Sequence, residues 1–292
     1  MFRKTRLAAL TAAVLAAVLA LVLSACGNNQ AGGAGDENAG NFDGTFTVAM
    51  EAGYAPYNWT QSDDSNGAVP IKDSSEFANG YDVMMAKKIA EENGWDLEIV
   101  KLDWDSLVMA VQSGTVDAAI AGQSITAERA QQVDFSDPYY FATISTLVKK
   151  DGKFAGATQV SDLDGATVNS QMNTIWYDSL APQIPNADIL PAATDAPSML
   201  VQLESGAADV IVTDKPTAQA AEIAYPDMLA LDFGGGEGDY KVSEEDVNIG
   251  ISVQKGNAQL LDGINKVLGN MNSDDFDAMM NDAIKIQPLS NN

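Results

Sequence analysis

The sequence predicts an α/β protein of two lobes with a ligand cleft between them. Segments typical of strands and helices alternate along the chain, and the alternation restarts after Lys149. About 250 residues follow residue 40, which is enough chain for two separate hydrophobic cores. Repeated β-α alternation favours parallel sheets with helices on both faces, and ligands of such sheets bind beyond the carboxyl ends of the strands. The binding site is therefore expected where the two lobes face each other.

The first block opens with a short apolar strand and continues through amphipathic helices. The segment 80–93 repeats apolar residues such as Val83 and Ile89 at helical spacing, and Gly94 follows as a stop. A further helix is predicted to start at Thr126. The predicted elements of this block are strands at 46–50, 97–102, 118–121 and 144–148, and helices at 80–93, 105–112 and from 126 onward.

The second block repeats the pattern and is followed by a tail that resembles part of the first block. Its predicted strands are 166–170, 189–190 and 210–213, and its predicted helices are 174–180, 198–204 and 216–224. An acidic, glycine-rich loop at 234–246 precedes the tail, whose predicted elements are a strand at 248–253 and helices at 258–270 and 274–284. We therefore expect two crossings between the lobes, with lobe 1 formed by 42–145 plus 249–292 and lobe 2 by 146–248.

The N-terminus has the pattern of an export signal. Three basic residues within the first six precede an apolar run over 7–23, and small residues then lead to Cys26. An uncleaved transmembrane anchor is the alternative, but it needs about 18 or more apolar residues, and this run is marginally short. The tetrapeptide Leu-Ser-Ala-Cys at 23–26 resembles the recognition site of bacterial lipoprotein processing. We expect residues 1–25 to be a signal peptide and the cysteine to carry lipid.

Cysteine use supports the same interpretation. Cys26 is the only cysteine, so the chain forms no intramolecular disulfide, and lipidation explains an unpaired thiol in an exported protein. The residues that follow have no apolar side chain larger than alanine, so we expect a flexible linker at 26–41 that holds the body roughly 20 Å from the anchor. The expected location is the outer face of the cytoplasmic membrane, with the membrane contacted through the lipid on Cys26.

Charge balance and two scarce residue types exclude several classes of function. The chain has 16 basic and 41 acidic residues, which argues against nucleic acid and against electrostatic adhesion to anionic lipid. It has no histidine, which excludes His-based triads and His-ligated metal sites, and we expect neither metal nor cofactor. After residue 25, Arg129 is the only arginine beside twelve lysines. A lone arginine where lysine otherwise supplies positive charge raises the question of what a planar, bidentate guanidinium does there.

Several motifs follow one another in the order and spacing of a known family. They are Tyr-Ala-Pro-Tyr at 54–57, Gly-Tyr-Asp-Val at 80–83, Trp-Asp-Ser-Leu at 104–107, Ser-Ile-Thr-Ala-Glu-Arg at 124–129 and Asp-Phe-Ser-Asp-Pro-Tyr-Tyr at 134–140. Essentially everything after residue 44 resembles the polar amino-acid group of bacterial extracellular solute-binding proteins, family 3, the receptor subunits of ABC importers. The resemblance implies the two-lobed periplasmic-binding-protein-like fold (type II). It also implies a monomeric binding protein, not an enzyme, that delivers a free amino acid to a permease and its ATPase.

The resemblance also assigns residues to the two charged groups of a free amino acid, both of which must be paired when they leave water. The family uses the positions of Ser124 and Arg129, beside the positive end of a helix, for the α-carboxylate. Arg129 is therefore expected to grip that group through two parallel N–H bonds, in preference to serving as an ordinary surface charge. Gly122 and Gln123 before them are also expected to bind the ligand. Asp214 matches the family's anchor for the α-ammonium at the carboxyl end of a buried strand. A strand-end aspartate is also often only a helix cap.

The remaining site residues are expected to meet the ligand side chain and backbone. Tyr54 and Trp104 match residues that sandwich the ligand side chain, and Glu51 matches an acidic position that reads its far end. Asn173 and Thr174 match a Gly-Thr backbone contact in which asparagine replaces the glycine. With two acids and one arginine, the site is suited to a lysine-, arginine- or glutamine-like ligand rather than to glutamate or aspartate.

Two other functions are alternatives on the sequence. Related scaffolds host dehydratase-type enzymes, and without histidine the acid or base would be Glu51, Asp214 or a tyrosine. A sensory ligand-binding domain is the second alternative, although such a domain would normally be fused to transmembrane and signalling segments. We expect the transport receptor in preference to both.

Overall fold

The structure is a computed structural model that describes residues 43–288. The predicted signal peptide, Cys26 and the predicted linker lie outside the described residues. The strands are β1 (Thr45–Met50), β2 (Gly53–Tyr54), β3 (Asn58–Gln61), β4 (Val69–Pro70), β5 (Phe77–Asn79), β6 (Asp96–Lys101), β7 (Ala118–Ala119), β8 (Asp134–Phe135), β9 (Tyr140–Phe141), β10 (Ile144–Lys149), β11 (Thr167–Asn169), β12 (Asp188–Ile189), β13 (Val210–Asp214), β14 (Met228–Leu231), β15 (Asn248–Ile249) and β16 (Ser252–Val253). The α-helices are α1 (Tyr81–Asn93), α2 (Leu107–Gln112), α3 (Ala127–Ala130), α4 (Ala196–Glu204), α5 (Lys215–Ala224), α6 (Glu244–Val247), α7 (Ala258–Leu268) and α8 (Ser273–Ile286).

Two five-stranded sheets organise these elements. The first sheet has the order β6-β1-β7-β16-β8, and the second sheet has the order β12-β11-β13-β10-β14. In each sheet two neighbouring pairs are parallel and two are antiparallel, because β16 in the first sheet and β10 in the second run antiparallel to both of their neighbours. The prediction of parallel sheets is therefore correct for only half of the neighbouring pairs, and both sheets are mixed. Each reversed strand is the one that follows a crossing between the sheets, because there the chain enters the new sheet from the opposite direction.

The two crossings lie side by side. β9 leads out of the first sheet toward β10, β15 leads back toward β16, and the two form an antiparallel pair in which Asn248 lies opposite Phe141. The single strand predicted at 248–253 is thus two strands in different sheets. The break falls at Gly250, where an added Cβ would come within 2.6 Å of the Ile125 side chain. Only glycine fits this close approach between the crossing and the loop before α3.

The sequence predicted the central strands and the long helices to within a few residues but missed short elements. The segment between β1 and α1 forms a four-stranded sheet of order β2-β3-β5-β4. Its strands are two to four residues long and lie in largely polar sequence with no clear alternation. The helix predicted at 174–180 is a single π-type turn, Trp176–Leu180, followed by a 3₁₀ turn.

Helix α1 is the principal helix of the first sheet. Gly80 precedes it with φ 124° and ψ −178°, and Gly94 ends it in the left-handed conformation. Its buried face is apolar except for Asp82 in the first turn, which is completely buried. α7 and α8 pack against the same helix. Within residues 43–288, no helix combines the length and hydrophobicity needed to cross a membrane.

Candidate functional site

Arg129 lies on the short helix α3 and points toward the second sheet. The Thr126 hydroxyl caps this helix by accepting from the Arg129 N–H at 3.2 Å. The guanidinium donates to the Ser124 carbonyl at 3.0 Å. It also donates to the carbonyl of Asn173, which lies in the other half of the molecule, at 2.9 Å. Its carbon lies 5.4 Å from the centre of the Trp104 ring. The guanidinium is thus oriented by neutral acceptors and an aromatic face.

No described side chain forms an ion pair with Arg129. Burial lowers the pKa of this guanidinium to about 10, so it remains charged at neutral pH. A partly buried cation that has hydrogen-bond acceptors but no paired carboxylate is suited to receive an anion.

Asp214 is the complementary feature at the end of β13. It is 1% exposed, and burial raises the pKa of its carboxyl group. One carboxylate oxygen accepts from the Thr217 N–H at 2.8 Å and caps α5, as the helix-cap interpretation expects. The other accepts from the Tyr54 hydroxyl at 2.5 Å. None of the described lysines or arginines pairs with Asp214, so it is a buried carboxyl group held by neutral donors alone.

Glu51 follows directly after β1 and is 8% exposed. Burial raises the pKa of its carboxyl group to about 7, and nearby aspartates add to the shift. Its only described hydrogen bond is from the Gln171 amide, at 3.3 Å, which comes from the loop after β11 in the other half. Sequence reasoning missed Gln171. Only the approach of the two halves places this amide beside the acid, and no local pattern signals it.

The aromatic residues of the site are arranged differently from a simple sandwich. Tyr54 stacks on Tyr57 at 4.8 Å between ring centres and 15° between planes, and it meets Trp176 at 6.0 Å and 51°. Trp104 lies beneath the Arg129 guanidinium instead. Trp176 was not among the predicted residues. Its position in a π-type turn is a feature that often marks functional sites.

The loop from Gly122 to Ser124 is fixed by contacts with the returning chain. Gly122 has φ 62°, and an added Cβ would lie 2.9 Å from the Tyr54 ring, so this position requires glycine. The Gln123 side chain is buried and accepts from the Ser252 hydroxyl at 3.4 Å. The Ser124 hydroxyl donates to the Asp246 carbonyl at 3.4 Å.

Asn173 has φ 54°, a left-handed conformation that asparagine tolerates better than most residues. This explains how asparagine can occupy a position where the family that the sequence resembles has glycine. The Asn173 carbonyl faces Arg129, and its side-chain amide donates to Asp105 at 2.6 Å. Thr174 is buried, and its hydroxyl donates to the Gln171 carbonyl at 2.6 Å.

A cavity of about 650 Å³ opens beside Arg129 and is lined by both halves of the molecule. Of the predicted site residues, Trp104, Gln123, Arg129, Asn173 and Thr174 line it. The other five do not line it. Three of those five make contacts between the two halves, since Tyr54 donates to Asp214 and Glu51 accepts from Gln171. Half of the predicted residues therefore lie around the open space, and these three lie where the two halves meet.

The buried acids predict a stability that rises as the pH falls. Glu51 and Asp82 both have a pKa raised to about 7 by burial, from ordinary values of 4.5 and 3.8, and the pKa of Asp214 is raised in the same direction. A raised pKa means that the folded protein binds more protons than the unfolded chain. The contribution of these acids to the free energy of unfolding is complete below their ordinary pKa values and is lost as the pH rises through about 7. Calorimetry should therefore show a melting temperature roughly 5 °C higher at about pH 5.5 than at about pH 8.

Glu51→Gln should reduce this pH dependence, because it removes one of the buried titrating groups. The matched control is Glu91→Gln, which removes one acidic charge from an exposed face of α1. Exposed aspartates with a lowered pKa, such as Asp43 and Asp63, remain ionised throughout this window and do not change the sign. A melting temperature that falls on acidification from pH 8 would contradict the prediction.

Comparison with known proteins agrees with this geometry. Residues 46–283 match the family model of bacterial extracellular solute-binding proteins, family 3. The arginine-binding extracellular protein ArtP of Bacillus subtilis is 31% identical over 153 residues, which cover 52% of this chain and 51% of that protein. The match therefore spans about half of ArtP. The L-cystine-binding protein TcyJ of Escherichia coli K12 is 27% identical over 231 residues, 79% of each chain.

A solved structure extends the likeness to the whole fold. An amino acid ABC transporter substrate-binding protein from Streptococcus pneumoniae, bound to L-arginine, superposes with a TM-score of 0.71. The two proteins are 26% identical, over 84% of this chain and 95% of the other. The fold is therefore the two-lobed type II fold of periplasmic amino-acid-binding proteins. By family model and by fold, the chain belongs to the bacterial extracellular solute-binding proteins, family 3.

Proposed function

We propose that the protein is the extracytoplasmic receptor of an amino-acid ABC importer and binds a cationic or polar-amide amino acid. The observation that carries the proposal is a pair of unmatched charges, Arg129 and Asp214, presented from opposite halves of the molecule. A free amino acid carries one carboxylate and one ammonium group. It therefore supplies the missing partner of each charge in a single molecule.

The third charge of the site, Glu51, sets the preferred side chain. With Glu51 ionised, the site has two negative charges and one positive charge, which matches arginine or lysine with a net charge of +1. Gln171 adds an amide beside Glu51, so a guanidinium, an ammonium or a neutral amide finds hydrogen-bond partners there. A second ligand carboxylate would instead lie against Glu51 and be repelled.

The names of the relatives support the amino-acid class. ArtP is an arginine-binding protein, TcyJ binds L-cystine, and the protein from Streptococcus pneumoniae was solved with L-arginine. In this proposal the lobe boundaries fall at the two crossings, with 42–145 plus 249–292 in lobe 1 and 146–248 in lobe 2. The lobes close on the ligand and present it to the permease, and the lipid on Cys26 keeps the receptor at the membrane.

Calorimetric titration with L-arginine, L-lysine, L-glutamine, L-glutamate and L-aspartate tests the proposal. We expect dissociation constants of about 1 μM or lower for at least one of the first three, and weak or absent binding of the two acids. Glu51→Gln should weaken binding of the cationic ligands more than binding of glutamine. Tight binding of glutamate or aspartate, with none of the other three, would exclude the proposed substrate class. Absence of binding to every amino acid would exclude the receptor itself.

The enzyme alternative is tested on the same samples. A receptor returns its ligand unchanged, whereas a dehydratase consumes a prephenate-like acid. Incubation with such an acid, followed by chromatography, should show no product above the level given by buffer alone. Product formation that Glu51→Gln abolishes would favour the enzyme.

A further inference from the structure

Two of the family motifs have no ligand-binding residue assigned to them, yet their polar groups meet directly behind the site. Asp82 of the Gly-Tyr-Asp-Val motif and Tyr139 of the Asp-Phe-Ser-Asp-Pro-Tyr-Tyr motif are both 0% exposed. Between them they join two loops. One is the segment 51–54 after β1, and the other is the segment 122–124 after β7.

The first arm of the network runs from Asp82 to the segment 51–54. One Asp82 oxygen accepts from the Asn58 side-chain amide at 2.7 Å. The Asn58 side-chain oxygen in turn accepts from the Ala52 N–H at 2.7 Å. Ala52 has φ 51°, a left-handed conformation that costs a non-glycine residue roughly 1–2 kcal/mol. The arm therefore holds a strained turn that determines where Glu51 and Tyr54 point.

The second arm runs from the other Asp82 oxygen to the segment 122–124. This oxygen accepts from the Tyr139 hydroxyl at 2.7 Å. The same hydroxyl accepts from the Gly122 N–H at 3.0 Å. Gly122 packs against the Tyr54 ring and leads into the residues whose carbonyl orients Arg129.

A carboxylate is the group that suits the centre of this network. Asp82 faces two donors, and an ionised carboxylate offers acceptors only. An asparagine in its place would present an NH₂ group to one of those donors. If the new NH₂ group faced Asn58, the Asn58 amide would have to reverse. If it faced Tyr139, the Tyr139 hydroxyl would lose its acceptor. Full burial of a carboxylate without a cation is unfavourable for stability alone, which points to a requirement other than core packing.

We propose that Asp82 is a positioning residue that fixes the two ligand-contacting segments, 51–54 and 122–124, relative to each other through Asn58 and Tyr139. The effect on ligand binding rests on the proposed function, whereas the coupling of the two segments does not. Loss of one arm should therefore loosen the segment held by the other arm. A local core hydrogen bond would have no such effect.

Amide exchange measured by NMR in the unliganded protein tests the coupling. Tyr139→Phe removes the hydroxyl that joins Gly122 to Asp82, and exchange of the Ala52 amide on the opposite arm should accelerate about tenfold or more relative to central-strand amides such as Val48. Asp82→Asn should accelerate exchange at both Ala52 and Gly122. The matched control is Tyr240→Phe, which removes another buried hydroxyl, bonded to Thr146 in the second sheet at 2.9 Å. This control should leave both amides unchanged relative to Val48.

Calorimetric titration with L-arginine tests the consequence for binding. Asp82→Asn and Tyr139→Phe should each weaken binding about tenfold, and the double variant should be little weaker than either single one, because both break the same network. Asp82→Asn should at the same time leave the melting temperature at pH 8 unchanged or raised, since it removes a buried charge. A role in core stability alone would lower it.

Four results would overturn the proposal. The first two are exchange changes confined to Gly122 in Tyr139→Phe and additive losses of affinity in the double variant. The others are affinity losses in Tyr240→Phe as large as those in Tyr139→Phe and a lowered melting temperature of Asp82→Asn at pH 8. If the unsubstituted protein binds no amino acid, the proposed function fails, and the exchange of the Ala52 amide still decides the coupling.

Discussion

Arg129→Lys is expected to weaken amino-acid binding about 100-fold or more while leaving the fold intact. Lysine keeps the positive charge but replaces a planar fork of five donors by a single ammonium with three. Two N–H groups of the arginine are already used on the Ser124 and Asn173 carbonyls, and the rest remain for the two oxygens of a ligand carboxylate. One ammonium cannot satisfy both carbonyls and also form two parallel bonds to a carboxylate.

Calorimetric titration with L-arginine measures this effect, and a thermal melt of the same sample shows whether the fold is retained. Lys87→Arg is the matched control, because it exchanges the same two cationic side chains in the opposite sense and also keeps the net charge. The Lys87 ammonium donates to the Gly67 carbonyl at 2.9 Å at an exposed position, so this exchange should leave affinity unchanged. An Arg129→Lys variant that binds within about threefold of the unsubstituted protein would show that charge alone matters, and would contradict the bidentate role.

Gly80→Ala is expected to have the largest effect on stability, lowering the free energy of unfolding by about 3 kcal/mol or more. An alanine Cβ would lie 2.3 Å from the Tyr57 carbonyl oxygen and 2.9 Å from the Asn58 Cα. The backbone angles, φ 124° and ψ −178°, belong to a region that only glycine occupies readily. The same Tyr57 carbonyl accepts from the Asp82 N–H at 2.8 Å, so the clash falls on the first turn of α1.

Urea unfolding and a melting curve measure the Gly80 effect, and the melting temperature should fall by roughly 10 °C. Gly156→Ala is the matched control, because Gly156 has open space where a Cβ would be and no positive φ. A Gly80→Ala protein whose unfolding free energy lies within about 1 kcal/mol of the control would mean that the β3 segment shifts to accept the methyl group.

Much of the site was accessible from sequence because its residues carry local signals. Arg129 stands out as the only arginine after residue 25, where lysine is otherwise used, and Thr126 before it has the chemistry of a helix cap, which the structure shows. Asp214 ends a run of buried β-branched residues and precedes Pro216, so strand, cap and helix start could be read together.

What sequence could not show depends on contacts between distant segments. Gln171 and Trp176 reach Glu51 and Tyr54 across the boundary between the sheets, over separations of 120 residues or more along the chain. The reversal of β10 and β16 has the same origin, since strand direction is set by where each crossing enters a sheet and not by residue periodicity. An acidic residue in the first turn of a helix is usually solvated, so Asp82 carried no signal of its burial.

The adjoining crossings have a mechanical consequence for the proposed receptor. Two strands joined by backbone hydrogen bonds, as β9 and β15 are at Phe141 and Asn248, bend readily about a line that runs across both and resist sliding or twisting past each other. We expect this pair to restrict the proposed closure of the lobes to a single rotation. In the proposed receptor, any ligand that completes the rotation would bring the two outer surfaces to the same angle, so a permease that recognises that angle could accept different cargoes through one docking geometry.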